Sequence, residues 1–212
     1  MKFKNFIFSP FQENTYVLYD ETGECVVVDP GNLLPNENEQ LDLFFKENSL
    51  KLVHIINTHN HLDHIFGTKY LVDKYKVDIA CHKEELFWID KFKDTCNGYG
   101  LNIDYDAPKP KKLIADNDIF TFGNTKLKVI HVPGHSAGSV AFYNEYNGML
   151  FCGDILFQGS IGRHDLPGGN YQQLITGIQQ KLFVLPDKTR VFSGHGPETS
   201  IGEEKRTNPF FN

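Results

Sequence analysis

"THNHLDH", residues 58–64, puts His59, His61, Asp63 and His64 within six positions of a 212-residue chain that has nine histidines in all. Packing alone gives no reason to concentrate imidazoles in this way. The stretch follows Leu52–Asn57, an apolar, β-branched run that reads as a buried strand. In extended backbone, residues i and i+2 project to one side, so His59 and His61 can reach one point. Asp63 and His64 fall where the chain should turn into a helix, and they can face a second point. Four such groups exceed what one tetrahedral ion takes from a local segment. Without partners beside a buried strand they would cost on the order of several kcal/mol. The cluster therefore reads as metal-binding, with room for two ions.

Three further donors share one local form. His135 follows Gly134 after the strand Lys126–His131, Asp154 follows Gly153 after Met149–Cys152, and His195 follows Gly194 after Arg190–Phe192. In each, a strand ends, a glycine turns the backbone, and a ligand-type residue comes next. Glycine permits that turn at little steric cost. All seven donors are nitrogen or oxygen, which suits zinc first and also iron or manganese. Two ions need an anionic bridge, and Asp154 is the economical candidate. Paired ions of this kind lie about 3.5–4 Å apart and hold a hydroxide available near neutral pH. His54, His82 and His131 read as structural histidines.

The bulk composition fits this picture. Hydrophobic residues make up 40% and charged residues 23% of the chain, ordinary for a globular protein. A net charge of −6 argues against a nucleic-acid partner. No run approaches the ~20 apolar residues of a membrane span. The N-terminal apolar stretch breaks at Ser9-Pro10, so no secretory signal is expected. Cys25, Cys81, Cys96 and Cys152 form no C-x-x-C pair and read as free thiols in a reducing compartment, which points to the cytoplasm.

Strands are expected at Lys2–Phe8, Tyr16–Tyr19, Cys25–Asp29, Leu52–Asn57, Ile119–Phe122, Lys126–His131, Ser139–Tyr143, Met149–Cys152 and Arg190–Phe192. Helices are expected around Leu41–Phe45, from Asp63 or His64 to about Tyr75, over Lys83–Lys91, and from Tyr171 through Ile178. Asp94–Pro110 reads as a long surface loop. No linker-like shift in composition appears, so one domain over 1–212 is expected.

Taken together, "THNHLDH", "PGHSAGS" (133–139), "CGDILF" (152–157) and "SGHG" (193–196) resemble the metallo-β-lactamase superfamily. The opening "PFQENTYVLYD…VVVDPG" (10–31) and the tail "GPETSIGEEKRTNPFF" (196–211) resemble it too. "GSIGRHDLPGG" (159–169) is similar to the short bacterial, glyoxalase II-like (hydroxyacylglutathione hydrolase-like) branch. The resemblance implies an α+β fold, an αββα sandwich of two mixed sheets flanked by helices. It also implies that His59, His61 and His135 hold one metal, Asp63, His64 and His195 hold a second, and Asp154 bridges. Asp29 would order the ligand loops without being a ligand.

The activity implied is hydrolysis of a small-molecule thioester such as S-lactoylglutathione, by a hydroxide between two divalent ions. Asp63 would hold a metal and orient the nucleophile; it can also cap a helix. Residues 196–212 are shorter than the basic helical extension with which full-length glyoxalase II enzymes recognise glutathione. Phe157, Arg163, His164 and Tyr171 are candidate substrate contacts, and His164 stands where relatives usually have threonine. Arg163 can pair with a substrate carboxylate or with Asp165. A mononuclear-iron persulfide dioxygenase using His59, His135 and Asp154 is the alternative activity, and a lactonase a further one. Many zinc β-lactamases place cysteine where Asp154 stands, and flavodiiron relatives place glutamate where His61 stands.

Overall fold

The computed structural model describes residues 1–212, and in its first half the apolar runs assemble into one six-stranded sheet. Its strands are β1 (Lys2–Phe8), β2 (Glu13–Tyr19), β3 (Glu24–Val28), β4 (Lys51–Ile56), β5 (Asp78–His82) and β6 (Lys112–Ile114), in spatial order β1-β2-β3-β4-β5-β6. β1, β2 and β3 pair antiparallel, whereas β3, β4 and β5 pair parallel. Parallel neighbours need a crossover. α1 (Pro35–Glu47) supplies it between β3 and β4, and α2 (Thr68–Tyr75) between β4 and β5. Leu41 and Phe45 of α1 and Leu71 of α2 pack on Val17, Val27 and Ile55 of the sheet. α3 (Leu86–Gly98) closes a second cluster with Ile89, Phe92 and Cys96 against Leu62, Ile65 and Phe66.

The second half forms another mixed sheet. It contains β7 (Ile119–Phe122), β8 (Thr125–His131), β9 (Val140–Asn144) and β10 (Met149–Gly153). A small hairpin follows, β11 (Leu156–Phe157) with β12 (Ser160–Ile161), and then α4 (Tyr171–Gly177). β13 (Arg190–Ser193), β14 (Thr199–Ser200) and α5 (Ile201–Thr207) complete the chain. The spatial order is β14-β13-β10-β9-β8-β7, with β10 and β13 parallel and joined through α4. Leu174, Ile178 and Leu182 bury against Ile130, Leu150 and Val191.

The chain divides into two compact units, Met1–Leu113 with Phe122–Thr125, and Ile114–Thr121 with Lys126–Asn212. In the first, Asp20 holds the tip of the β7–β8 hairpin. Its Oδ2 accepts the Asn124 N–H at 2.8 Å and the Thr125 hydroxyl at 2.8 Å.

Several expectations need correction. The helix expected from Asp63 or His64 is interrupted: a 3₁₀ turn spans Leu62–His64 and α2 begins only at Thr68. A Cβ on Gly67 would meet Asn32 Oδ1 at 1.8 Å, so the chain passes hard against Asn32 before the helix starts. The helix expected over Lys83–Lys91 opens as a 3₁₀ turn at Lys83–Glu85 and runs to Gly98, inside the stretch expected as loop. Buried Ile89, Phe92 and Cys96, spaced three and four apart, carry it there. β5, β6, β11, β12, β14 and α5 were not anticipated. β2 begins at Glu13, before the expected Tyr16: Glu13, Asn14 and Thr15 pair with Phe8, Ile7 and Phe6 of β1, and being polar yet buried they gave no apolar signal.

The four cysteines are free and buried. Burial pushes the thiols of Cys25 and Cys81 up to about 12 and that of Cys96 to about 11. No helix is long and apolar enough to cross a membrane.

Candidate metal centre

In the first unit the donors sit on the segment that leaves β4. His59, His61 and His64 are buried, and Asp63 is partly exposed. The His59 and His61 rings lie 4.6 Å apart at 88°, and His59 and His64 lie 4.1 Å apart at 51°. Asp63 Oδ2 is 3.9 Å from His64 Nε2. Asn57 Nδ2 donates to the His64 carbonyl at 3.1 Å and closes the loop.

Asp29 organises this loop from the end of β3. Its Oδ1 accepts the Thr58 N–H at 2.7 Å, and its Oδ2 accepts the Thr58 hydroxyl at 2.5 Å. The same Oδ2 lies 3.1 Å from His64 Nδ1. A carboxylate only accepts, so His64 Nδ1 carries the proton and Nε2 the lone pair. The Thr58 hydroxyl proton is engaged by Asp29, so His59 Nδ1, 3.1 Å from Thr58 Oγ1, is the donor of that pair and its Nε2 likewise keeps the lone pair. A second hydrogen bond of this kind is what sets the tautomer of a metal-binding histidine.

In the second unit the three strand-end donors come together. Asp154 Oδ2 is 3.7 Å from His135 Nε2 and 3.7 Å from His195 Nε2. His135 Nδ1 donates to the Arg163 carbonyl at 2.8 Å, which again leaves the lone pair on Nε2. Gly134, at φ +132°, lets the chain pass α4: a Cβ there would meet Leu174 N at 2.5 Å. Gly162 lies against both donors, since its Cβ would meet Asp154 O at 1.9 Å and His135 Cβ at 3.1 Å.

Donor type and geometry both fit divalent cations. At 3.7 Å the carboxylate–imidazole contacts are too long for hydrogen bonds. They are near the separation of two ligands that each lie about 2.0–2.2 Å from a shared ion. One carboxylate oxygen stands in that relation to two imidazoles. Each unit thus carries a set of His and Asp donors of the kind that binds divalent cations.

Arg163 forms a two-pronged ion pair with Asp165, at 2.8 and 2.9 Å, which holds the Asp165 carboxyl down at about 2. His164 is exposed, its ring 5.0 Å from that of Tyr171 at the start of α4. Phe157 is half-buried in β11. Of the histidines read as structural, His82 Nδ1 accepts the Glu84 N–H, and His131 Nε2 lies 3.0 Å from the Ala137 carbonyl.

Two buried carboxylates beside the histidine segment escaped the sequence reading. Glu13 is fully buried, with Oε2 2.7 Å from Thr15 Oγ1 and Oε1 3.9 Å from His64 Nδ1. Burial pushes its carboxyl well above the usual carboxylate range, with His64 the main influence pulling the other way. Glu85, also fully buried, contacts Asn60 between the first two histidines. Neither lies in a recognisable ligand spacing.

Residues 8–195 match the model of the metallo-beta-lactamase superfamily. The probable metallo-hydrolase YqgX of Bacillus subtilis (strain 168) is 36% identical over 212 residues, covering 100% of this chain and 98% of that protein. Hydroxyacylglutathione hydrolase GloC of Haemophilus influenzae is 34% identical, covering 95% and 94%. Among solved structures, BLEG-1 B3 metallo-beta-lactamase superposes with a TM-score of 0.90 at 37% identity, covering 100% of both chains. TTHA1623 in a di-iron-bound form gives 0.87 at 36%, covering 98% and 99%. ETHE1 from Myxococcus xanthus gives 0.80 at 28%, covering 99% and 84%.

Proposed function

The chain belongs to the metallo-beta-lactamase superfamily, and on that premise we propose that it is a dinuclear metal-dependent hydrolase of small-molecule thioesters, of hydroxyacylglutathione hydrolase type. The observation that carries the dinuclear reading is the position of Asp154 Oδ2, 3.7 Å from the Nε2 atoms of both His135 and His195. The likeness to GloC supports the thioester. In this reading His59, His61 and His135 hold one cation, Asp63, His64 and His195 hold the other, and Asp154 serves both. Zinc suits these donors, and the di-iron-bound form of TTHA1623 makes iron the first alternative.

When bound, two such cations supply the Lewis acidity that makes water nucleophilic near neutral pH and polarises a carbonyl. The chain's own part is to hold the donors in one protonation state. Asp29 fixes the proton on His64 Nδ1, Thr58 fixes it on His59, and the Arg163 carbonyl fixes it on His135. Asp63, partly exposed beside His64, accepts a hydrogen bond from the attacking water and orients it. Water adds to the thioester carbon and the C–S bond breaks, giving a carboxylic acid and a thiol. A thiol of pKa about 8.5 leaves as thiolate without a protein acid. The four free, buried cysteines support a reducing, cytoplasmic setting. The net charge of −6 supports a small molecule over a nucleic acid as partner.

The likeness to ETHE1 favours a second reading, a mononuclear-iron persulfide dioxygenase held by His59, His135 and Asp154. A panel of S-lactoylglutathione, other acyl-thioesters, a lactone and a β-lactam, run beside oxygen uptake on glutathione persulfide, separates these activities. Thioester turnover without oxygen uptake is expected. Failure on every acyl-thioester removes the proposal.

A further inference from the structure

His59 and His61 face one side of their segment, so Asn60 between them faces the other. Asn60 is buried, and its backbone N–H is bonded to Glu85. Glu85 meets it twice. Glu85 Oε2 accepts the Asn60 N–H at 2.8 Å, and the Glu85 carbonyl accepts from Asn60 Nδ2 at 3.2 Å. One residue thus holds both the main chain and the side chain of the position between the two histidines. Three residues on, the Trp88 ring stands edge-on to His61, with centroids 4.5 Å apart at 83°. The 3₁₀ turn that carries Glu85 is itself pinned, since His82 Nδ1 accepts the Glu84 N–H. Glu85 thus holds Asn60 while Trp88 packs on the His61 ring, so the start of α3 meets the His-Asn-His segment at two positions.

A buried carboxylate is costly unless strongly hydrogen-bonded, so its presence here calls for a role. We propose that Glu85 is a positioning residue: by fixing Asn60, it sets the separation and orientation of His59 and His61 and thereby the affinity of the cation they hold. This rests on the metal-binding reading of those two histidines. Glu85 bonds to both the backbone and the side chain of Asn60, and its effect on the two rings runs through that residue. A glutamine of the same length can still accept the Asn60 N–H, whereas an aspartate is one methylene too short to reach it.

The test is titration of metal-free wild type, E85Q, E85D and E85A with Zn²⁺ alone against a chromophoric chelator. Absorption spectra of the Co²⁺-substituted proteins and thermal unfolding of the metal-free forms accompany it. Wild type should bind two equivalents. E85A and E85D should bind one of the two about 10–100-fold more weakly, with an altered Co²⁺ spectrum, and E85Q should stay closer to wild type. If E85D and E85A keep wild-type affinity and spectrum while only the metal-free melting point falls, Glu85 is structural and the proposal is overturned. If E85A does not fold, E85D against E85Q decides by the same criteria. Failure of wild type itself to bind Zn²⁺ overturns the metal reading, and this proposal with it.

Discussion

Asp29 Oδ2 lies 3.1 Å from His64 Nδ1 while the same carboxylate accepts both the backbone N–H and the hydroxyl of Thr58. One side chain therefore joins the end of β3 to both flanks of the histidine cluster. Asp29 does so at φ +50°, a left-handed conformation that aspartate tolerates better than most residues. D29A should lose about 2–4 kcal/mol of stability, because buried donors on Thr58 and His64 lose their acceptor. Metal affinity should fall about 10–100-fold. D29N should lie between the two. Urea unfolding of the metal-free proteins and metal titration measure these effects separately, and wild-type values in D29A would refute the assigned role.

Gly162 has no room for a side chain. Its Cβ would stand 1.9 Å from the Asp154 carbonyl and 3.1 Å from His135 Cβ. G162A must therefore displace the backbone that carries one or both donors. Displacements of about 1 Å cost roughly 100-fold in rate. Turnover should fall by about that factor while the circular dichroism spectrum stays native. Undiminished turnover in G162A would mean that this loop gives way without moving the donors.

Asp20 gives a pH dependence with a definite sign. Burial alone would raise its carboxyl, but hydrogen bonds from the Thr22 and Thr125 hydroxyls and the Thr22 and Asn124 N–H groups hold it below the usual value. A depressed folded-state pKa contributes stability that is complete above the unfolded value of about 3.9. That contribution is lost as pH falls through the lower folded value. D20N should be about 1–3 kcal/mol less stable than wild type at pH 7. The gap should close progressively below about pH 4. Chemical unfolding at a series of pH values checks this. A gap that persists unchanged under acid would assign the effect to packing.

The candidate donors could be picked out because each signal is local. His59, His61, Asp63 and His64 announce themselves by density, and His135, Asp154 and His195 by the strand–glycine–donor form. The arrangement of strands and helices in two mixed sheets was implied only by the family resemblance, whereas the mixture itself was legible from the apolar runs. Glu13 and Glu85 were not, because each acquires its role only through tertiary contacts, Glu85 across 25 residues to Asn60. The Asp20 anchor spans 104 residues to Asn124 and leaves no periodic trace. β5 is five residues long and ends on a histidine, and β14 has two, too short for alternation to show. The extension of α3 was present as Ile89, Phe92 and Cys96, but polar neighbours on the exposed face obscured it.

The metal-to-chain ratio of the purified, active protein tests the central claim most directly. Elemental analysis should give two divalent ions per chain, falling well below two in D154A as the shared carboxylate is lost. A ratio of one in fully active protein, unchanged by D154A, would contradict the dinuclear account.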